Sequence, residues 1–152
     1  MLIGIVSDTH GSVSHGVRDA LKDVDIILHA GDVGGPDIIT VLEKIAPVKA
    51  VRGNTDGGPW ASRLPVADML KFDTRVFYVL HDLSLLDLDP MSAGVQVVIS
   101  GHTHQPLIKT IDDVLYFNPG SASQRRHGGP LSVGRIEITK NGLRPEIIEL
   151  DR

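Results

Sequence analysis

Seven side chains of related chemistry punctuate this sequence. Asp8 and His10 are separated by one residue, Asp32 and Asn54 each follow a glycine, His81 closes an apolar run, and His102 and His104 are again separated by one residue. All offer oxygen or nitrogen donors suited to a divalent transition metal. In extended or turning backbone, residues two apart direct their side chains to the same side, so Asp8-Thr9-His10 and His102-Thr103-His104 can each present two donors together. Seven donors exceed what one tetrahedral ion takes. They suit two ions of higher coordination that share a carboxylate and solvent. Two divalent ions held by only two carboxylates, Asp8 and Asp32, leave about two positive charges, or about one with a bridging hydroxide, and such a pocket attracts phosphate. Paired metals also lower the pKa of a shared water and steady the oxygens of an in-line displacement at phosphorus. Each motif alone has a plainer reading. Asp8 or Ser7 would equally cap a helix, and His102 and His104 would equally be polar loop residues.

The elements that must position these side chains are short apolar runs. Leu2–Val6 leads into Ser7-Asp8, Asp25–Ala30 into Gly31-Asp32, Val48–Arg52 into Gly53-Asn54, Arg75–Leu80 into His81, and Gln96–Ser100 into Gly101-His102. Runs of this length bounded by turn residues read as buried strands. Between the first three lie helical stripes. Val13, Val17, Ala20, Leu21 and Val24 predict a helix over 13–24. Ile38, Ile39, Leu42, Ile45 and Ala46 predict a second, opened by Pro36 and stopped by Pro47. Strands joined by such crossovers collect ligands beyond their carboxyl ends. His29 falls inside an apolar run and reads as a core histidine or as support beneath the ligands. His15 reads as surface.

The second half changes character. Asp68–Phe72 and Arg75–Leu80 flank an Asp73-Thr74 turn, and Leu107–Ile111 and Val114–Phe117 flank Asp112-Asp113. Leu83–Met91 is leucine-rich and reads as a short helix broken near Pro90. Asn118-Pro119-Gly120-Ser121 is a tight turn, and Leu131–Thr139 and Leu143–Leu150 are joined through Asn141-Gly142, a strong hairpin signal. A βαβαβ half followed by mostly antiparallel strands predicts two sheets packed together with helices outside.

Composition bounds what such a chain can do. Its 152 residues suffice for one domain with a good core, with 41% hydrophobic and 22% charged residues. Aromatics are only 4%, so the core must be aliphatic. A net charge of -4 and a pI near 5.9 argue against a broad basic surface for extended nucleic acid. Without cysteine there is no disulfide or thiolate chemistry. The first apolar run has no basic flank and is too short for a signal peptide, and no run approaches the ~18 residues of a membrane span. The expectation is a soluble cytoplasmic protein with no membrane partner.

In order, Asp8-x-His10, Gly31-Asp32, Gly53-Asn54, His81 and Gly101-His102-x-His104 resemble the motifs of the calcineurin-like metallophosphoesterases. More closely, the chain resembles the small bacterial and archaeal YfcE-type phosphodiesterases, from Leu2 to the last strands. The resemblance implies an α/β (α+β) fold, a four-layer αββα sandwich of two mixed β-sheets flanked by helices, with 1–152 as a single domain. It implies that Asp8, His10, Asp32 and His104 hold one metal, and that Asp32 (bridging), Asn54, His81 and His102 hold a second. Asp32, Asn54 and His81 would act in catalysis through the metals, with a hydroxide shared by the two ions attacking the phosphorus of a small phosphodiester, cyclic nucleotides included. Manganese is the usual activator in such families, with Fe, Ni, Co or Zn as alternatives, and homodimers are common among them.

Two departures matter. Many members carry His directly after Gly-Asn as an acid for the leaving group, whereas this chain has Gly53-Asn54-Thr55-Asp56, which favours leaving groups that depart unaided. Asp56 is a candidate to position substrate or water, or to hold the structure. The second-metal histidine is usually followed by Gly-His or a similar pair, and here Asp82 follows His81. Arg52, Asn54, Asn118, Arg125 and Arg126 are candidates to grip phosphate oxygens or a base, arginine being well shaped for bidentate contact. Arg125 and Arg126 read equally well as a solvated loop. Two other functions fit the pattern: a phosphomonoesterase, since the same nucleophile attacks either ester, and a non-catalytic scaffold of the same fold, as in the retromer complex. Intact ligand positions weigh against the scaffold.

Overall fold

The structure is a computed structural model and describes residues 1–125 and 129–150. Arg126 lies outside the described residues. Strands β1 (Leu2–Val6), β2 (Ile26–His29) and β3 (Val48–Ala50) alternate with helices α1 (His15–Ala20) and α2 (Pro36–Glu43). Then follow β4 (Ala67–Phe72), β5 (Arg75–Leu80), α3 (Pro90–Ala93), β6 (Val97–Ile99), β7 (Leu107–Ile111), β8 (Val114–Asn118), β9 (Ser132–Thr139) and β10 (Gly142–Glu149). They form two sheets, ordered β10-β9-β1-β2-β3 and β4-β5-β6-β8-β7. Each sheet is mixed. β1, β2 and β3 run parallel, with β9 antiparallel to β1, while β5, β6 and β8 run parallel between antiparallel edges β4 and β7.

The sheets face one another across a mostly aliphatic core whose largest side chains are Phe77 and Phe117. Ile3, Ile5 and Leu28 from the first sheet meet Phe77, Val79, Ile99 and Phe117 from the second. On the other face of the first sheet, Val6 and Ile27 pack on Val17, Leu21, Ile38 and Leu42 of the helical layer. β1 is therefore covered on both faces, and Ile3 to Val6 are all buried. That is why its sequence is a continuous apolar run rather than an alternation. Each such side chain stabilises the fold by about 1.5–3 kcal/mol relative to exposure.

The outer face of the second sheet has a thinner cover. Leu80, Val95, Val98 and Val114 lie under Leu83, the first residue of a single 3-10 turn, Leu83–Leu85, and Leu86, which caps it. The helix expected across 83–91 does not form. Pro90 opens α3 instead of breaking a helix, because its fixed φ and missing N–H suit a first helical turn. α1 is shorter than the 13–24 stripe, although Leu21 and Val24 remain buried along it. Its cap is Ser14, whose Oγ accepts the Val17 N–H at 3.4 Å, so neither Ser7 nor Asp8 caps it. The last hairpin turns one residue earlier than expected. Thr139 pairs with Gly142, leaving Lys140-Asn141 as the turn and Gly142 as the first residue of β10. Among the described residues no helix is long and apolar enough to cross a membrane.

Candidate metal centre

The carboxyl ends of the parallel strands from both sheets meet at one edge of the sandwich. Backbone bonds lash the loops beyond them together: the Asp8 N–H donates to the Gly31 carbonyl, the His10 N–H to the Asp32 carbonyl (both 3.0 Å), and the Gly101 N–H to the His81 carbonyl (2.9 Å). The backbone there is held in an uncommon conformation. Asp8, His10, Asp32, His102 and His104 all have left-handed φ, between 46° and 70°. Asp and His tolerate this region better than most residues, yet five such residues in one cluster mark a site where the surrounding structure enforces strain.

Close approach also dictates two glycines. A Cβ on Gly53 would collide with the Asp32 carboxylate, and one on Gly101 would collide with Ser7 Oγ and sit 2.9 Å from Asp8 Oδ2. Glycine before a ligand-type residue therefore records backbone passing against a carboxylate.

Each buried carboxylate has one oxygen fixed by donors and the other aimed inward. Asp8 Oδ2 accepts the Ser7 hydroxyl at 2.7 Å and the His102 N–H at 3.2 Å. Its Oδ1 lies 3.3 Å from His104 Nε2, 3.7 Å from His10 Nε2 and 3.9 Å from His81 Nε2. Asp32 Oδ1 accepts the Thr55 N–H at 3.0 Å, while Oδ2 lies 3.2 Å from His81 Nε2 and 3.8 Å from His10 Nε2. Donor atoms of Asp8, His10 and His104 all fall within 4.8 Å of one another, as do those of Asp8, Asp32 and His81. Asp32 thus lies against His10 and His81, and Asp8 against His10, His81 and His104. His102 and Asn54 sit further out, Nδ1 to Oδ1 at 3.2 Å, with the His102 side chain 40% exposed.

The proton positions sharpen this picture. His81 Nδ1 lies 2.7 Å from the Ala30 carbonyl, which only accepts, so Nδ1 carries the hydrogen. In the neutral ring, Nε2 then turns a lone pair toward a carboxylate. Among the described residues, Asp8 Oδ1, His10 Nε2 and His81 Nε2 are buried with no hydrogen-bond partner. A buried polar atom without a partner costs about 1–3 kcal/mol. Burial lowers the pKa of His81, but Asp32, the Ala30 carbonyl and Asp8 outweigh it and raise the net value. Burial likewise works to raise Asp32, but His81 and Thr55 hold that carboxyl well below the usual range. Both shifts describe a cluster that calls for positive charge between its acceptors.

The supporting residues resolve several expectations. His29 is fully buried and satisfied: its Nδ1 accepts the Gly31 N–H at 3.0 Å, and its Nε2 lies 3.0 Å from Thr9 Oγ1. Thr9 donates its own hydrogen to the Val33 carbonyl at 2.7 Å, so His29 is the donor to Thr9 and is neutral. Burial pushes its pKa down to about 4. Asp56 takes the structural one of its two expected roles. Its carboxylate accepts the N–H groups of Gly53 (2.9 Å), Val33 and Gly34 (both 3.1 Å), pinning the Asn54 loop to the turn after Asp32. Asp82 caps the 3-10 turn through Ser84, and its Oδ2 lies 3.8 Å from His102 Nε2 at the rim.

Of the expected substrate contacts, Arg52 and Asn54 line a cavity of about 400 Å³ that adjoins His81. Asn118 is buried elsewhere. Its amide donates to the Gly101 carbonyl and Thr103 Oγ1 and accepts the Gly120 N–H, so it holds the His102–His104 loop rather than a ligand. Arg125 donates to the Gly129 carbonyl at 3.2 Å on the exposed loop. Sequence reasoning missed Ser7 and Ser123. Ser7 orients Asp8 as described, and the Ser123 hydroxyl donates to the Asp8 carbonyl at 2.7 Å. The adjacency of Ser7 to Asp8 was the only local signal, and Ser123 lies 115 positions away.

Comparison with known proteins agrees with this geometry. The chain is 38% identical to a protein of Methanothermobacter thermautotrophicus named as a probable metallophosphoesterase, over 97% of this chain and 92% of that one. It is 29% identical to a phosphodiesterase of Methanocaldococcus jannaschii, over 98% of this chain and all of the relative. In structure it superposes on Vps29 of Entamoeba histolytica with a TM-score of 0.77 over 99% of this chain, at 18% identity, which reflects a shared fold. Residues 1–141, which carry every one of the strand-end ligand motifs, match the calcineurin-like phosphoesterase superfamily domain, and the chain belongs to that superfamily.

Proposed function

We propose that this protein is a metal-dependent phosphodiesterase, a phosphoric ester hydrolase with a dinuclear centre, acting in the cytoplasm as a single domain over 1–152. The observation that carries the reading is the convergence of Asp8 Oδ1, His10 Nε2 and His81 Nε2, buried polar atoms left without a hydrogen-bond partner among the described residues. Such a donor set fits cations. Asp8, His10, Asp32 and His104 would hold one ion, and Asp32, Asn54, His81 and His102 the other, with manganese the expected activator and Fe, Ni, Co or Zn as alternatives. When bound, two divalent ions supply an acidified water and positive charge against the phosphoryl oxygens.

The chain's own residues do the rest. The Ala30 carbonyl fixes the His81 tautomer, so that Nε2 stays a lone-pair donor toward the site. Ser7 and Thr55 orient the two carboxylates. Asn54 and Arg52, which line the cavity adjoining His81, would contact a phosphodiester, whereas Arg125 donates to the Gly129 carbonyl of its own loop. Thr55 replaces the imidazole that would protonate a leaving group, so esters of acidic alcohols are the favoured substrates. Every ligand comes from one copy of the chain, so a homodimer would carry two complete sites.

The test is hydrolysis of bis-p-nitrophenyl phosphate by chelator-stripped protein with each divalent metal returned, beside the p-nitrophenyl monoester. Turnover of the diester, highest with manganese, weak on the monoester and abolished by Asp32→Asn without loss of circular dichroism, is the expected result. Folded protein that turns over neither ester with any metal would hand the fold to a non-catalytic scaffold role.

A further inference from the structure

The cavity beside the metal centre is unlike the centre itself. It has a volume of about 400 Å³, within the range of small-molecule sites, and it shares Asn54 and His81 with the cluster. Its remaining wall is largely apolar. Val66 and Leu85 line it while 57% and 69% exposed, so two large aliphatic side chains stand in solvent at the edge of a polar site. Tyr78 adds an aromatic face from β5, three residues before His81. Burial, with a contribution from Asp87, raises the Tyr78 phenol, which therefore stays a neutral hydrogen-bond donor. The charged members of the wall are Arg52, Asp82 and Asp87, one cation against two anions.

We propose that this cavity receives one ester arm of the phosphodiester, and that the arm is an uncharged flat aromatic group of nucleobase size. The inference rests on the phosphodiesterase reading and specifies its substrate class. Phosphate held at the cluster leaves an ester oxygen facing Asn54 and His81, and the space beyond them is this cavity. Val66 and Leu85 gain from covering a hydrophobic surface. Tyr78 and the Arg52 guanidinium both stack on planar π systems. Asp82 and Asp87 accept hydrogen bonds from ring amino groups and repel an arm that carries a second phosphate.

Val66→Trp tests the assignment, because Val66 is exposed, lies outside every strand, and would fill the cavity when enlarged. Two esters with the same leaving group separate the outcomes. Bis-p-nitrophenyl phosphate keeps an aryl arm, whereas methyl p-nitrophenyl phosphate can direct its methyl into the cavity. In the manganese-loaded variant, kcat/KM should fall at least tenfold for the bis-aryl ester and less than threefold for the methyl ester. Equal losses, or none, would overturn the proposal. A second readout needs no metal and no turnover. In chelator-treated wild-type protein, millimolar adenosine should shift the NMR methyl signals of Val66 and Leu85, and Val66→Trp should abolish the Leu85 shift. Absence of those shifts in the wild type would also overturn it. Should the wild type hydrolyse neither ester, the phosphodiesterase reading fails separately, and the adenosine shifts alone decide the cavity.

Discussion

Replacing Asp56 with alanine should destabilise the fold by about 3 kcal/mol while leaving every candidate ligand in place. The magnitude follows from its three bonds. The Gly53 and Val33 amides belong to buried residues, and removing the carboxylate orphans both, at about 1–3 kcal/mol each. The Gly34 amide is exposed, so water replaces its bond at little cost. Urea unfolding followed through Trp60, the only tryptophan and part of the loop that Asp56 secures, gives the change directly. At this chain length it corresponds to a fall in Tm of roughly 6–12 °C. Asp56→Asn keeps one acceptor oxygen and should lie between the variant and the wild type. Because Gly53 and Asp32 are in contact, the loosened loop should also weaken manganese binding, read by titration calorimetry. A loss below about 1 kcal/mol with unaltered metal affinity would refute the view that Asp56 welds the two loops.

Three further outcomes are expected. His29 has a folded-state pKa near 4 against an ordinary 6.5, so the unfolded chain takes up its proton first as pH falls. Stability is fully present above pH 6.5, and about 3 kcal/mol of it should drain away between there and pH 4. Urea titrations of metal-free protein across that window should show a slope that His29→Gln flattens, and equal slopes would count against the assignment. Gly101→Ala should lose activity and about 1–3 kcal/mol of stability through collision with Ser7 and Asp8, whereas Gly57→Ala, whose Cβ would meet nothing, should be silent in both assays. Manganese at about a hundred times its Kd should add about 2.7 kcal/mol. That is roughly 5–10 °C in Tm by calorimetry, and it should vanish in Asp8→Asn/Asp32→Asn.

The ligand motifs were readable because glycine and apolar runs are local signals of where a strand ends and backbone approaches something closely. The presence of two packed sheets was also readable, because covered strands such as β1 are uniformly apolar while crossover helices carry a 3.6-residue stripe. The return of β9 and β10 to the first sheet, and the parallel pairing of β5, β6 and β8 in the mostly antiparallel half, were not. What stayed hidden was set by distant partners. Asp56 read as structural somewhat more than as a substrate group, but its partners, the Val33 and Gly34 amides, lie over twenty positions away. Asn118, a natural substrate ligand by residue type, is captured by the loop of Gly101 and Thr103. Pro90 was ambiguous in principle, since the same ring that breaks a helix interior also starts a helix. The last hairpin closes at Lys140-Asn141 through a side chain the local turn signal does not include: the Thr139 hydroxyl accepts the Asn141 N–H at 3.2 Å and donates to the Gly142 carbonyl at 3.1 Å.

The place of β1 has a consequence for how the protein is made. It is synthesised well before β9, yet it lies mid-sheet between β9 and β2, with Leu2 paired to Glu137. At about 5–20 residues per second, its open edge waits roughly 6–25 seconds for β9. During that wait the most apolar strand of the first sheet is an adhesive template for other chains, and Asp8 is already present while its partners His81 and His104 are still unmade. Closure of the sandwich and completion of the centre therefore both wait until β9 is made, and a chaperone that shields Ile3–Val6 has the most to protect.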